Sequence, residues 1–166
     1  MRKQKGFSLI ELLLVVAVIM IIAAIAIPNF MRSRMAANES SAVSSLHIIE
    51  AAQVSYISTY PNEGYAQDLN TLGPGSSSNT TPTETNAMLL DIVLGCPQGV
   101  LTAPCQKAGY NFYVTTSGLA PLSTYMVNGD PISPGSSGNR HFYSDLTGVI
   151  RFNTSAVAAD SDQPIE

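Results

Sequence analysis

The stretch Gly6-Phe7-Ser8-Leu9-Ile10-Glu11 opens an apolar run that continues to Ile27. Residues 7–27 comprise 21 positions, and only Ser8 and Glu11 among them are polar. A helix rises about 1.5 Å per residue, so this run would be roughly 31 Å long. The hydrocarbon core of a bilayer is roughly 30 Å thick. The stretch therefore predicts one membrane-spanning helix.

Charged residues at the start of the chain predict the orientation of this helix. Arg2, Lys3 and Lys5 precede the apolar run, and the first ten residues contain no acid. Positive charge keeps its side of a membrane segment in the cytoplasm, so the rest of the chain should be exported. Glu11 is the exception inside the run. A carboxylate within a spanning segment is costly unless it finds a partner, which makes Glu11 a candidate functional residue.

The N-terminal pattern resembles the type IV prepilin signature, which type IV pilins share with the pseudopilins of type II secretion. The pattern consists of a short basic leader ending at Gly6, then Phe7, Glu11, an unbroken apolar stretch and Pro28. The resemblance implies that a prepilin peptidase cuts between Gly6 and Phe7, removes the leader (residues 1–6) and methylates the new amino group of Phe7. It also implies an inner-membrane assembly machinery as a partner. Residues 109–112 and 142–151 resemble strand segments of bacterial major pilins.

Two simpler interpretations of the N-terminus compete with this one. A secretory signal peptide also has a basic start and an apolar core, and Ala24-Ile25-Ala26 is similar to its cleavage site. The apolar core here is longer than such a peptide needs, and it carries Glu11. A plain signal-anchor helix has no use for Glu11. A lipoprotein anchor is excluded because no cysteine lies near the segment.

Composition limits the classes of partner that the chain can bind. Only 12% of its residues are charged. Removing Arg2, Lys3 and Lys5 from the eight Lys/Arg leaves five against twelve Asp/Glu, a side-chain charge of −7. Nucleic-acid binding needs a basic face, so no general nucleic-acid affinity is predicted.

The chain has two cysteines, Cys96 and Cys105, in the part predicted to be exported. In an oxidising compartment a disulfide is the default for such a pair. A two-cysteine metal site is the alternative, although no histidine lies near them.

The long helix should continue well beyond the apolar run. No glycine or proline interrupts residues 29–59, and alanines are frequent there. Pro28 cannot donate a backbone hydrogen bond, so we expect a kink just upstream of it. Apolar residues at helical spacing predict a stripe that packs on the rest of the domain: Leu46, Ile49, Ala52, Tyr56 and Tyr60.

The remaining sequence predicts a loop region followed by a sheet. Thr81-Pro82-Thr83-Glu84 has the pattern of a capping box and predicts a short helix at about residues 82–94, with Met88, Leu89, Ile92 and Val93 as its apolar face. From Gly109 the apolar period falls to two. It predicts an antiparallel sheet of about four strands, including a hairpin whose turn is Asp145-Leu146-Thr147-Gly148. The acidic tail after Asn153 should be loosely held.

These elements predict an α+β fold with a Pro-kinked N-terminal helix packed on a small antiparallel sheet, and the resemblance implies that the fold is of type IV pilin type. The predicted regions are a removed leader (1–6), a membrane and filament-core helix (7–28), the amphipathic half of that helix (29–60), a loop region with a short helix and a disulfide loop (61–109), and a sheet with an acidic tail (110–166).

The sequence contains no recognisable catalytic, cofactor or metal motif. His47 and His141 are interpreted as structural. Asp91, Asp130 and Asp145 could join a calcium site, but their spacing does not support one, and turn or surface roles are favoured. Asn79-Thr80-Thr81 fits an N-glycosylation acceptor. We therefore predict no enzyme, no cofactor and no metal.

The chemistry that remains is assembly. Cutting after Gly6 would create a free amine on Phe7, four residues before Glu11. Both groups are costly in an apolar environment unless they are paired, and the amine of one subunit can pair with Glu11 of a neighbour. The contact is head-to-tail, so it generates an open helical filament. The sequence thus favours a type IV pilus subunit, stored in the inner membrane and displayed at the cell surface after assembly. The alternatives are a type II secretion pseudopilin and a membrane-anchored binding module.

We predict that the mature chain begins at N-methylated Phe7. Intact-mass measurement of the assembled protein should show loss of residues 1–6 and one additional methyl group. A mature chain that begins at Ile27 would support the signal-peptide interpretation instead.

Overall fold

The computed structural model describes residues 7–75, 81–96 and 105–165. The leader with Gly6, the candidate glycosylation acceptor Asn79 and the residues between the two cysteines lie outside these ranges. The described chain divides into two compact units, Met1–Arg34 and Met35–Glu166, which we treat separately.

Helix α1 extends over Leu9–Thr59 and is continuous through Pro28, as the uninterrupted helix formers predict. The bend expected at Pro28 stays a prediction. In the second unit the predicted apolar stripe of α1 is confirmed, because Leu46, Ile49, Ala52 and Tyr56 are all buried. Tyr60, which follows the last helical residue, is partly buried against the same core.

The sheet has six strands that pair in chain order, each antiparallel to the next. The strands are β1 (Cys105–Lys107), β2 (Tyr110–Thr116), β3 (Tyr125–Pro131), β4 (His141–Asp145), β5 (Arg151–Asn153) and β6 (Gln163–Pro164). The antiparallel sheet is confirmed, but the expected number of about four strands is wrong. The two additional strands are the edges β1 and β6, which have three and two residues and are too short to show an alternating pattern.

Alternate side chains of the central strands form the core against α1. Tyr110, Phe112, Val127 and Phe142 are fully buried, and the rings of Tyr110 and Phe142 lie 5.6 Å apart. The predicted hairpin is also present, because β4 and β5 pair across the turn at residues 145–148. Apolar burial between one sheet face and the stripe of α1 therefore holds the second unit together.

The expectation of a loosely held tail is wrong. β6 pairs with β5, and Ala158 is buried. The Asn128 side-chain amide donates a hydrogen bond of 3.0 Å to the Ala158 carbonyl, and the Arg151 guanidinium donates one of 2.9 Å to the Asp162 carbonyl. These polar contacts fix the tail across the sheet face opposite α1. The sequence did not predict them because a hydropathy pattern does not show polar contacts.

The prediction of a short helix at residues 82–94 is also wrong. The structure has no helix there and instead has a four-residue helix, α2, over Leu69–Leu72. Asp68 caps α2 by accepting a hydrogen bond of 2.7 Å from the Thr71 backbone N–H. The backbone N–H groups of Ala87 and Leu89 donate to carbonyls of α2, so these two groups are not available for helical bonds within the segment.

The residues of segment 82–94 that face the core also differ from those predicted to form its apolar face. Ala87, Leu90 and Leu94 are buried, whereas Ile92 and Val93 are half exposed. The capping-box pattern at residues 81–84 was misleading because bonds to α2 replaced the local helical bonds.

Polar side chains of α1 fix the helix to the rest of the second unit. Gln53 is fully buried and exchanges two hydrogen bonds with the backbone of Ala66, at 3.0 and 2.8 Å. Glu50 accepts a hydrogen bond from the Ser144 hydroxyl of β4. These contacts give Gln53 and Glu50 specific partners, so they fix the position of the helix more precisely than apolar packing alone.

Glu39 and Arg140 form the strongest of these anchors. One carboxylate oxygen of Glu39 accepts from the backbone N–H groups of Asn139 and Arg140, at 2.9 and 3.3 Å. The other accepts from the Arg140 guanidinium at 2.7 Å. The guanidinium also lies 5.5 Å from the ring centroids of both Phe142 and Phe152. Burial acts to raise the pKa of Glu39, but these hydrogen bonds and the charge of Arg140 outweigh it and lower the pKa below its ordinary 4.5.

A folded-state pKa below the ordinary value means that Glu39 stabilises the fold above pH 4.5, and that this contribution is lost as the pH falls through the lowered value. We predict that Glu39→Gln lowers the free energy of unfolding at pH 7 by about 1.5–3 kcal/mol. The difference from wild type should shrink below pH 4.5. Urea unfolding of a soluble form lacking residues 1–28 measures it, with Asp160→Asn as an exposed control. A difference that stays constant down to pH 2 would contradict the assignment.

Candidate assembly surface

The apolar N-terminal run is exposed along its whole length. Its large side chains, from Phe7 to Ile27, are between 42% and 76% exposed. Only Ala23 in this run is partly covered. The helix that contains it is long and apolar enough to cross a membrane. A continuous apolar surface of this size needs a covering of lipid or protein. The membrane-spanning prediction is therefore consistent with the structure.

Glu11 makes a local contact that the sequence analysis missed. Its Oε2 atom accepts a hydrogen bond of 3.0 Å from the backbone N–H of Ser8, just before the first residue of α1. Ser8-Leu9-Ile10-Glu11 has the spacing of a capping box, and this is the return bond of that motif. The S-x-x-E pattern was visible in the sequence and signalled the contact.

The capping bond uses only one oxygen of Glu11. Within the described ranges the other oxygen, Oε1, accepts no hydrogen bond, and the carboxylate has no ion pair. The cap holds the carboxylate at the N-terminal end of α1, close to Phe7, with one oxygen available to a donor from outside the chain. Phe7 itself is 76% exposed. Cleavage after Gly6, methylation of Phe7 and the role of Glu11 in assembly stay predictions.

The disulfide between Cys96 and Cys105 is present in the structure. It connects the segment after Leu94 to the first residue of β1. A salt bridge supports the same junction, because Lys107 of β1 donates to Asp91 at 2.9 Å. Burial acts to raise the pKa of Asp91, but the hydrogen bonds from the Leu94 backbone N–H and from Lys107 outweigh it and lower the pKa.

The three aspartates considered for calcium lie apart in different local networks. Asp91 pairs with Lys107, and Asp145 accepts bonds from the backbone and hydroxyl of Thr147 in the hairpin turn. Asp130 accepts from the Tyr113 hydroxyl at 2.7 Å and contacts His141 at 2.6 Å. Residues 7–75, 81–96 and 105–165 contain no cluster of three or more potential metal ligands.

The histidines make structural contacts. His47 lies on the exposed side of α1, 3.1 Å from Glu50. His141 links β4 to β3 through Asp130. Asp130 also binds Tyr113, so His141, Asp130 and Tyr113 connect three neighbouring strands across one sheet face.

Comparison with known proteins is consistent with the N-terminal geometry. The prokaryotic N-terminal methylation motif matches residues 1–27. The chain is 41% identical over 71 residues to the type IV major pilin protein PilA of Myxococcus xanthus, covering 43% of this chain and 31% of that protein. It is 55% identical over 40 residues to the type IV wide pilus major component PilA4 of Thermus thermophilus, covering 24% and 30%.

A secretion protein is also similar. The type II secretion system core protein G of Dickeya chrysanthemi is 30% identical over 83 residues, which covers 50% of this chain and 53% of that protein. The chain thus matches about a third of the length of the two pilins and about half of the secretion protein. No solved structure matches significantly.

The N-terminal methylation motif and the α+β architecture are together consistent with a type IV pilin fold. Over these parts of its length the chain is similar to type IV pilus proteins and to a type II secretion core protein.

We predict that Cys96 and Cys105 resist alkylation in the exported protein until a reductant is added. Alkylation without reductant, followed by peptide mapping, measures this. Two freely alkylated thiols would contradict the bridge.

Proposed function

We propose that the protein is a structural subunit of a type IV pilus, held in the inner membrane and then polymerised through its N-terminal helix. The observation that carries the proposal is the exposed apolar surface of residues 7–27 directly behind a prepilin-type methylation motif. Lipid covers this surface in the stored state, and the same surface of neighbouring subunits covers it in the filament. The resemblance to pilins supports adhesion, surface motility or DNA uptake as the role of the filament.

The stored subunit crosses the membrane once, with its N-terminus in the cytoplasm. Arg2, Lys3 and Lys5 support this orientation. A prepilin peptidase removes residues 1–6 and methylates Phe7, and an inner-membrane machinery extracts the subunit into the filament. The relatives are named as pilus or secretion-system components, and no enzymatic activity is proposed.

Glu11 sets the register between neighbouring subunits. The Ser8 backbone N–H occupies Oε2 of Glu11, which leaves Oε1 for the Phe7 amine of an incoming subunit. In the apolar interior of a filament, an unpaired amine or carboxylate is strongly unfavourable. Apolar packing tolerates sliding between helices, whereas this pairing is satisfied at only one axial position. Glu11 therefore supplies specificity, and the apolar run supplies most of the cohesion.

A type II secretion pseudopilin is the second candidate, and the similarity to core protein G supports it. The higher identities to the two pilus proteins favour the pilus. Deleting the gene and examining the cell surface separates the two: loss of long surface filaments indicates a pilin, and loss of protein export with filaments intact indicates a pseudopilin.

We predict that Glu11→Ala and Glu11→Gln distinguish the effect of the helix cap from the effect of the carboxylate charge. Alanine removes both the cap and the charge, while glutamine can keep the bond to Ser8 because a capping box accepts Gln at this position. Both variants should insert and be cleaved, since Gly6 and the leader are unchanged. We expect Glu11→Ala to abolish elongation and Glu11→Gln to give an intermediate yield.

Comparing the protein in membrane fractions with that in sheared filaments measures the effect. Asp160→Asn, which removes an exposed carboxylate from the tail, is the matched control and should give normal filaments. A normal filament yield from Glu11→Ala would refute the role of Glu11 in register.

A further inference from the structure

The second unit contains a cleft of about 350 Å³ beside the end of α1. Its lining includes two aromatic side chains, two carboxylates, an amide and a hydroxyl, contributed by Tyr56, Glu63, Tyr65, Gln67, Thr71 and Glu84. The loop at residues 118–122 forms the remaining wall. The backbones of Tyr65 and Leu122 bond at 2.9 Å, and those of Leu122 and Glu63 at 2.8 Å, so both walls are fixed.

The carboxylates in this cleft have no counter-charge. Glu63 and Glu84 form neither an ion pair nor a side-chain hydrogen bond with any residue that the structure describes. Their field reaches Tyr56, whose hydroxyl donates to the Glu84 carbonyl at 2.6 Å. Burial raises the pKa of Tyr56, and the charges of Glu63 and Glu84 raise it further.

Thr71 supplies an unused polar group in the same cleft. The residue is only 9% exposed, and it lines the cavity. Its backbone N–H binds Asp68 and its carbonyl accepts from Ala87, but its hydroxyl makes no hydrogen bond within the described ranges. An unpaired hydroxyl, two unpaired carboxylates and two tyrosine rings together suit a planar cation that donates several hydrogen bonds.

The cleaved chain has five basic side chains, and three of them are already engaged. Lys107 pairs with Asp91, Arg140 pairs with Glu39, and Arg151 donates to the Asp162 carbonyl. Arg32 and Arg34 are exposed and form no ion pair with the described residues of their own chain. Arg32 and Arg34 therefore have no counter-charge among the described residues of their own chain, and neither do Glu63 and Glu84 in the cleft.

We propose that this cleft is a contact site between subunits, which receives the guanidinium group of Arg32 or Arg34 from a neighbouring copy of the chain. The proposal rests on the filament function above. A guanidinium stacks on aromatic rings and donates in a planar fork to carboxylates, and the cleft presents both kinds of group. This contact would be a second polar interaction between subunits, and it lies outside the apolar run of residues 7–27.

Carbodiimide cross-linking of filaments tests the contact, because it joins an amine to a carboxylate only when the two groups touch. We would co-express the wild-type chain with a variant that carries Arg32→Lys and Arg34→Lys together with Glu63→Gln and Glu84→Gln. Any link from position 32 or 34 to Glu63 or Glu84 must then join two different copies. The link between Lys107 and Asp91 within one chain is the internal control, since those groups lie 2.9 Å apart.

Mass spectrometry of sheared filaments should detect both the internal control and the link from position 32 or 34 to the cleft. Filaments that contain the variant chain and show the control link without the cleft link would overturn the proposal and leave the filament function intact. Links from these positions to other carboxylates would overturn it as well. Absence of filaments from wild-type cells would refute the proposed function, and the cleft contact with it.

Filament yields give an independent measurement. Arg32→Gln with Arg34→Gln, and Glu63→Gln with Glu84→Gln, should each raise the ratio of membrane-bound to filament protein by about twofold to fivefold, the range expected for an exposed ion pair. Combining all four changes should cause no further loss. Additive losses would overturn the proposal. So would a loss of membrane-bound protein confined to the arginine variants, which would assign the arginines to lipid phosphates.

Discussion

The structure depends on one constraint, which is that the apolar surface of residues 7–27 stays exposed in the part of the chain that the structure describes. Fully covering one large aliphatic side chain is worth about 1.5–3 kcal/mol, so covering the whole run is worth on the order of tens of kcal/mol. A bilayer and a bundle of identical helices both satisfy this demand. Under the proposed function the subunit exists in either state, and Glu11 is proposed to determine how the bundle is aligned.

The second half of α1 differs from the first, because its apolar stripe is buried against other residues of the same chain. Leu46, Ile49 and Tyr56 are buried in the same core cluster as the sheet residues, and Glu39, Glu50 and Gln53 bind specific partners on the domain. This half is thus committed to the folded domain, whereas the first half remains free for lipid or other subunits. The division follows from where polar side chains interrupt the apolar pattern of the helix.

The sequence predicted those features that depend on local periodicity. The length of α1, its buried stripe, the antiparallel pairing, the β4–β5 hairpin and the disulfide are all present. It failed where tertiary hydrogen bonds decide the structure. Residues 82–94 carry a helix-like pattern, but α2 binds their backbone, and the tail carries no apolar pattern, although Asn128 and Arg151 hold it. At the candidate assembly site, the sequence identified Glu11 because a carboxylate is costly in a membrane, but the hydrogen bond from Ser8 to Glu11 was overlooked.

The most direct test of the account is whether the apolar run is what drives association. Sedimentation equilibrium of a form that begins at Asn29 measures association by the second unit alone. The account predicts a soluble monomer, because the exposed apolar surface is gone and the cleft contact has lost most of its supporting interface. Assembly of this form into filaments in dilute buffer would place the cohesion in the globular faces and contradict the account.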